Sequence, residues 1–436
     1  MKLRRGAVKR DCRRVFVALA SRTNLGAGDA LANTLENARS LIGVVLIILI
    51  CWLFSENKRR FPFFLTLGSL AVQAGLVLLL FAIPNSHAFL QGVTSAVDGL
   101  ADASDKGAQF VFGYLSGVIA GFLLTAVPNW TGRLPVTGAP LMGLVTLWCA
   151  GRVAMLAPDF ALAPVFDASF LFVFALVIAR EIIAGRNVRN IPVLALLCVL
   201  ATANLLSHLG SFDPDLALLG ERIGIGVVSM LVALIGGRIV PSFTRNWMAK
   251  QRMAPEPVAS SRFDAIALGV AAIALSLWAA MPTHFATGLM LTLAGVLHLA
   301  RLARWQGWRT HAEPLVLVLH VGYLWLCLGL LLSGMAILPL GVVPAASGLH
   351  ALTAGAFGVM TLAVMTRASL GHTGQPLTAG PRISAIYWLV NLGAALRVVS
   401  PFFPDMYAPM LAASAFAWSG AFVWFVAVYA PLLLRR

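Results

Sequence analysis

The sequence predicts an all-α integral membrane protein, a bundle of about twelve transmembrane helices with one further marginal helix near the N-terminus. Hydrophobic residues form 59% of the 436-residue chain and charged residues only 11%, whereas a soluble domain carries about 25% charged residues. The mean hydropathy is +0.87, and no soluble fold could bury so much apolar surface. We therefore expect a lipid bilayer as the solvent, and helices as the spanning form, because a helix satisfies its own backbone polar groups in lipid.

The N-terminal segment, residues 1–39, is polar and basic and is expected to be a tail. The apolar run that follows, Leu41–Phe54, has fourteen residues, which is short because about 20 residues are needed to cross a ~30 Å hydrocarbon core. Both flanks of this run are positive, with Lys58, Arg59 and Arg60 on its C-terminal side. Either this helix does not cross the membrane, or the basic tail is translocated despite its charge.

Twelve longer apolar runs follow, and each is predicted to form one spanning helix. Their approximate limits are Phe61–Ile83, Phe110–Val127, Pro140–Leu156, Ala161–Ile183, Ile191–Leu209, Leu216–Val240, Asp264–Ala280, Ala286–Leu302, Pro314–Met335, His350–Met365, Ile383–Val399 and Pro409–Leu434. The net charge of +15 is attributed to the connections between them. No basic stripe is interleaved with aromatic residues in a soluble segment, so the expected partner is the lipid bilayer and not nucleic acid.

Charge alternates between successive connections. Basic residues occupy every second connection, at Arg133, Arg186, Arg245, Arg304 and Arg367 among others. The alternate connections are acidic or uncharged, as at Asp98, Asp213 and Asp405. The positive-inside rule then predicts a multi-pass protein of the inner membrane with its basic connections and its C-terminus, Arg435–Arg436, in the cytoplasm.

A short pattern recurs at the cytoplasmic ends of three predicted helices. Val127-Pro128 is followed 113 residues later by Val240-Pro241, and a weaker copy begins at Val364 after a further 124 residues. Because proline cannot continue the hydrogen-bond ladder of a helix, we expect each proline to end its helix. Four helices separate successive copies, so the twelve spans can be interpreted as three quartets with a matching second helix. The alternative is that valine, proline and an aromatic residue simply form a common exit from the membrane.

Several chemical classes lack support in the sequence. The five cysteines are scattered without a C-x-x-C pair, so neither a disulfide framework nor a cysteine zinc site is predicted. No zincin motif, nucleophile elbow, Walker loop or dinucleotide-binding glycine motif is present, and hydrolase and NTPase activities are not supported. Whether the protein is an enzyme stays open.

The histidines are the main candidates for metal ligands, because neutral imidazole is a common ligand of haem iron and copper. His208 and His350 are predicted to lie at the same outer depth of their helices, and they form the better pair. His298 and His320 lie nearer the inner side. For each of them the alternative is a histidine that forms a hydrogen bond between helices.

Two arginines, Arg152 and Arg222, are predicted to lie in the outer half of the membrane. They can hold haem propionates or another anion through bidentate contacts. They can equally form structural ion pairs with Asp167 or Glu221.

From about residue 113 to the C-terminus the chain resembles the NnrS family. The matching segments run in order and include G-F-L-L-T-A-V-P-N-W-T-G-R-L-P, A-N-L-L-S-H-L, G-G-R-I-V-P-S-F-T-R-N-W and H-A-L-T-A-G-A-F-G-V-M-T. The resemblance implies a bacterial membrane protein of the nitric oxide response, nitrosative stress or denitrification, with haem and copper as cofactors. It also implies nitric oxide or a related small molecule as a partner. Two other classes stay open: a solute transporter built from helix repeats, and a membrane scaffold or sensor without chemistry.

The resemblance breaks immediately upstream. The family carries approximately W-H-x-H-E-M ahead of its F-G pair, whereas this chain has D-K-G-A-Q-F, Asp105 to Phe110. A metal site built on that motif would therefore lose two or three donors here. Residues 40–112 are instead similar to the start of concentrative nucleoside transporters, and the two resemblances meet at Phe112–Tyr114, which suggests a fusion. The transporter's later substrate and sodium sites are missing, so nucleoside transport is not implied. The predicted organisation is thus a tail (1–39), transporter-like helices (40–112) and an NnrS-like domain (113–436).

Overall fold

The computed structural model describes residues 108–156, 161–254, 257–258 and 260–434. Eleven long helices and no β-strand occur among these residues. We number the helices α1 Gln109–Thr131, α2 Ala139–Ala154, α3 Ala163–Ala184, α4 Val188–His208, α5 Pro214–Lys250, α6 Arg262–Ala280, α7 Phe285–Ala303, α8 Pro314–Ile337, α9 Ala345–His372, α10 Pro381–Phe402 and α11 Pro404–Leu434.

The predicted all-α membrane fold is confirmed. Each of the eleven predicted spans that fall among the described residues corresponds to one of these helices. Nine of the helices are long and apolar enough to cross a membrane, and α5 is the longest of them at 37 residues. The other two are α2, with 16 residues, and α3, with 22 residues that include Asp167, Arg180 and Glu181. The predicted tail, the marginal helix Leu41–Phe54 and the span Phe61–Ile83 lie outside the described residues.

The helices differ in how much of their surface other helices cover. About two thirds of the most apolar window is buried in α5 and in α9, and half of it in α1, but only 17% in α11. Large apolar side chains such as Leu176 and Phe416 are 70% and 81% exposed. Exposed apolar side chains of this kind suit contact with lipid. The greater burial of α5 and α9 places these two helices inside the bundle.

The prediction that proline ends the repeated helices is wrong. Pro128 lies inside α1, and Pro241 lies inside α5, which continues to Lys250. Gly132 ends α1 instead, since it adopts a left-handed conformation with φ 70°. Helices in membranes tolerate proline because neighbouring side chains satisfy the freed backbone groups.

A different irregularity marks the same three helices. Each of α1, α5 and α9 contains a π-helical segment, and the described residues hold no others: Gln109–Tyr114, Val232–Gly236 and Ala351–Phe357. Such segments are rare and usually occur as single turns inside α-helices. These are the three helices that the quartet interpretation makes equivalent, although the π-helical segments lie at different distances from the repeated valines Val127, Val240 and Val364.

The membrane orientation is testable with reporter fusions. A reporter joined in the connection 246–262 is expected to read cytoplasmic, because Arg245, Lys250 and Arg252 make this region basic. A reporter near Asp213, at the opposite end of α5, is expected to read periplasmic. Alkaline phosphatase and fluorescent protein fusions provide the measurement. Opposite readings at both positions would reverse the orientation of the whole bundle.

Candidate functional site

A buried ionic cluster joins α2, α3 and α4, and we call it the Asp167 cluster. The Arg152 guanidinium, in the last turn of α2, forms an ion pair with one carboxylate oxygen of Asp167. The other oxygen lies 2.8 Å from His208 Nε2 and accepts from the Asn204 amide at 3.2 Å. Asp167 is only 3% exposed. Both carboxylate oxygens are therefore occupied by partners within the protein.

The same cluster extends to the start of α1. Arg152 Nη1 donates to the Gln109 side-chain oxygen at 2.5 Å. The guanidinium also lies against Gly113, where an added Cβ would overlap it. The indole N–H of Trp148 also donates to the Gly113 carbonyl oxygen at 2.9 Å. Gln109 stands where the family motif has its glutamate, so the Asp167 cluster reaches the position of the missing donors.

The need for glycine at residue 113 predicts a stability difference. Gly113→Ala is expected to destabilise the protein by about 1–3 kcal/mol, because the new methyl group displaces the Arg152 guanidinium from its partners. Gly121→Ala is the matched control, since an added Cβ on Gly121 in the same helix meets no atom within 4 Å. Thermal unfolding of both variants in detergent measures the difference. Equal melting temperatures would mean that Arg152 readjusts without cost.

His350 lies on the other side of the start of α1. It lines a cavity of about 330 Å³ together with Phe110, Arg397 and Trp418. Phe110 packs between rings, with its centroid 5.6 Å from that of Tyr114 and 6.5 Å from that of Trp418. Because Gln109 and Phe110 are adjacent, the start of α1 has the His208 network on one side and the His350 cavity on the other. His208 and His350 thus lie on opposite sides of the start of α1, in separate surroundings.

Arg222 lines a neighbouring cavity of about 520 Å³, and Leu349 is part of the walls of both cavities. The Nε atom of Arg222 is buried without a hydrogen-bond partner among the described residues. Ser333, on α8, and Ala345, at the start of α9, line the same cavity. Arg152 forms a structural ion pair with Asp167. In Arg152 as in Arg222, the Nε atom is buried without a hydrogen-bond partner among the described residues.

A second buried cluster, the Asp264 cluster, joins α6, α7 and α8. Arg301 donates to Asp264 at 2.8 Å, to the Tyr323 hydroxyl at 2.8 Å and to the Ala233 carbonyl oxygen at 2.9 Å. The Tyr323 hydroxyl lies 2.7 Å from His298 Nδ1. Every one of these side chains is less than 10% exposed.

His320 lies beside this cluster, and its ring centroid is 6.4 Å from that of Trp305. Its Nε2 atom is 2.8 Å from the Thr244 hydroxyl, which itself donates to the Val240 carbonyl oxygen. His298 and His320 thus each use one ring nitrogen in a hydrogen bond between helices, which is the alternative that the sequence left open.

The described residues do not fit a metal centre. Among them no group of three or more histidine, cysteine, aspartate or glutamate side chains is close enough to hold a metal ion. The four histidines predicted as ligands, His208, His298, His320 and His350, are consequently not brought together. The best acidic donor near them, Asp167, is held by Arg152, Asn204 and His208.

Some members of these clusters escaped the sequence analysis. Asn204, Gln109 and Tyr323 carry no charge and belong to no motif. Arg301 falls inside the predicted span Ala286–Leu302 but was not among the candidate residues. An arginine inside an apolar run is costly in lipid and indicates a buried partner, and this signal could have identified it.

The sequence model described as NnrS protein matches residues 61–436. The chain belongs to the NnrS family. The family match begins at residue 61, upstream of residue 113 where the resemblance starts, so the family's H-x-H-E positions fall inside the matched range.

One further match concerns a transporter. Over 77 residues the chain is 30% identical to the nucleoside permease NupC of Helicobacter pylori. The aligned segment covers 18% of this chain and 18% of the permease. The chain therefore spans about a fifth of that protein, and the match carries no activity with it. No solved structure matches the chain.

Proposed function

We propose that this NnrS-family chain acts in the bacterial response to nitric oxide, in nitrosative stress or denitrification. The family match over residues 61–436 supports this role, together with a polar site at the position where the family motif should stand. That site is built from the Asp167 cluster and the His350 cavity, which both reach the start of α1, and from the Arg222 cavity beside the His350 cavity. It lies among apolar helices, where such groups are costly unless they serve a purpose.

Haem and copper belong to this proposal as cofactors of the family, but the described residues of this chain are a poor match for them. His208 is committed to Asp167, and His350 faces Arg397 without an acidic partner lining its cavity. We therefore derive no catalytic step through a metal. What the site can do is bind an anionic group, because Arg222 has a buried Nε atom without a partner and hydroxyl groups nearby.

The proposal is tested in two measurements on the full-length protein. A strain that lacks this protein is expected to grow more slowly after exposure to a nitric oxide donor, and expression of the chain should restore growth. Arg222→Gln is expected to weaken that rescue, while Arg186→Gln, on a connection, should not. A failure of rescue by the unaltered chain would contradict the proposal. Uptake of a solute into liposomes by the purified protein would favour a transporter instead.

A further inference from the structure

A small cavity lies where α1, α5 and α9 meet. Its volume is about 100 Å³. Among the described residues, four of the lining residues come from α1, six from α5 and four from α9. Val118, Leu231 and Met360 represent the three walls. The three helices that the repeat makes equivalent thus enclose one common space.

The chemistry of this cavity excludes charged and polar occupants. Its walls are almost wholly apolar, and Thr361, 4% exposed, is the one lining residue with a polar side chain. A buried water needs two to four polar partners, and apolar cavities of this kind stay dry. An engineered apolar cavity of about 150 Å³ takes up benzene or xenon. A somewhat smaller cavity suits molecules of fewer atoms.

The backbone around the cavity is irregular. Val232, Ile235 and Gly236 line it from the π-helical segment of α5, and Phe357 lines it from that of α9. A π-helical turn accommodates an extra residue and is frequent at functional sites. Irregular backbone from α5 and α9 therefore forms part of the cavity wall, while α1 lines it from its regular α-helical part.

A second cavity adjoins this space. It has a volume of about 540 Å³ and shares Val118, Phe122 and Val364 with the central cavity. Val145, on its wall, is 53% exposed. Small apolar molecules concentrate in lipid because water excludes them. Where the two cavities adjoin, the shared lining side chains of Val118, Phe122 and Val364 are all apolar.

We propose that the central cavity binds a small uncharged apolar molecule, of the size of a diatomic gas or a xenon atom, which enters from the bilayer past Val118 and Phe122. This binding does not depend on the proposed role in the nitric oxide response, because the cavity walls recognise size and low polarity alone.

Xenon is the probe for this site. The full chain is labelled with ¹³C in its methionine methyl groups, reconstituted in nanodiscs and studied by NMR under increasing xenon pressure. The Met360 signal is identified by its loss in Met360→Leu and is expected to shift until it saturates. Met248, fully buried but outside the cavity lining, should shift little and reports that the protein is folded.

Filling the cavity supplies the decisive comparison. Val118→Phe is expected to weaken xenon binding at least tenfold, and Val232→Phe serves the same purpose if the first variant does not fold. Val173→Phe is the matched control, because Val173 is 39% exposed on α3 and lines neither cavity. A Met360 response that grows linearly with pressure would overturn the proposal, since it indicates partition into lipid. Equal saturation in filled and control variants would also overturn it.

Discussion

Asp264→Leu is expected to lower the free energy of unfolding by about 3–5 kcal/mol, because removing one partner of a buried ion pair leaves the other charge uncompensated. The remaining charge would be that of Arg301, whose side chain is 3% exposed and surrounded by apolar helices. Asp264 has a second role at the N-terminus of α6, where its carboxylate accepts from the Ser261 backbone N–H at 2.8 Å. Loss of this capping interaction adds about 1 kcal/mol.

Chemical unfolding of the purified protein in detergent provides the measurement. Asp405→Leu is the control, since Asp405 lies exposed in the first turn of α11 and should change stability by less than about 0.5 kcal/mol. The double variant Asp264→Leu with Arg301→Met should recover much of the loss, because neither charge is then left buried alone. If Asp264→Leu unfolds no earlier than Asp405→Leu, the Asp264 cluster does not stabilise the fold.

The second large effect is expected in metal content. Restoring the family motif with Lys106→His, Ala108→His and Gln109→Glu should raise the affinity for haem or copper more than tenfold, since loss of a partner that merely orients a metal ligand already costs about 10–100-fold. Glutamate at position 109 has an additional consequence, because Gln109 already accepts from Arg152. A carboxylate there would compete with Asp167 for Arg152 and would alter the partners that hold His208.

The content of iron, copper and haem per chain is measured in four proteins. These are the unaltered protein, the restored variant, the restored variant with His208→Ala, and the restored variant with His350→Ala. The two imidazoles at positions 106 and 108 cannot share one face of a regular helix, so they would serve one site only if the chain were irregular there. Equal metal content in all four proteins would show that His208 and His350 are structural, and the site assignment would then fail while the fold remained.

The helices follow from the sequence because long apolar runs have one stable form in lipid. Their ends follow less well. The run His350–Met365 underestimates α9, which extends from Ala345 to His372, because the last turns of a membrane helix leave the hydrocarbon region and need not be apolar. Pro128 and Pro241 were assigned as helix ends by a rule from soluble proteins, and the surrounding helices outweigh it.

The candidate site was only partly predictable. The pairing of Arg152 with Asp167 was foreseeable from the shared depth of two opposite charges, and the sequence analysis raised it as an alternative. The contact between Arg301 and Asp264 depends on how α6 packs against α7, which hydropathy does not encode. The cavity between α1, α5 and α9 is lined in part by π-helical segments, and residue patterns such as Val232–Gly236 give no local signal for them.

The length of α5 has a mechanical consequence. With 37 residues and a rise of 1.5 Å per residue, this helix is about 55 Å long, whereas a bilayer with its headgroups is about 40–45 Å thick. A helix longer than the membrane is thick tilts or projects into the water on one side. The basic end around Lys250 is the part expected to project into water, while the middle of α5 forms a wall of the central cavity. A water-soluble partner that binds the projecting end and rotates α5 would therefore change the shape of the central cavity.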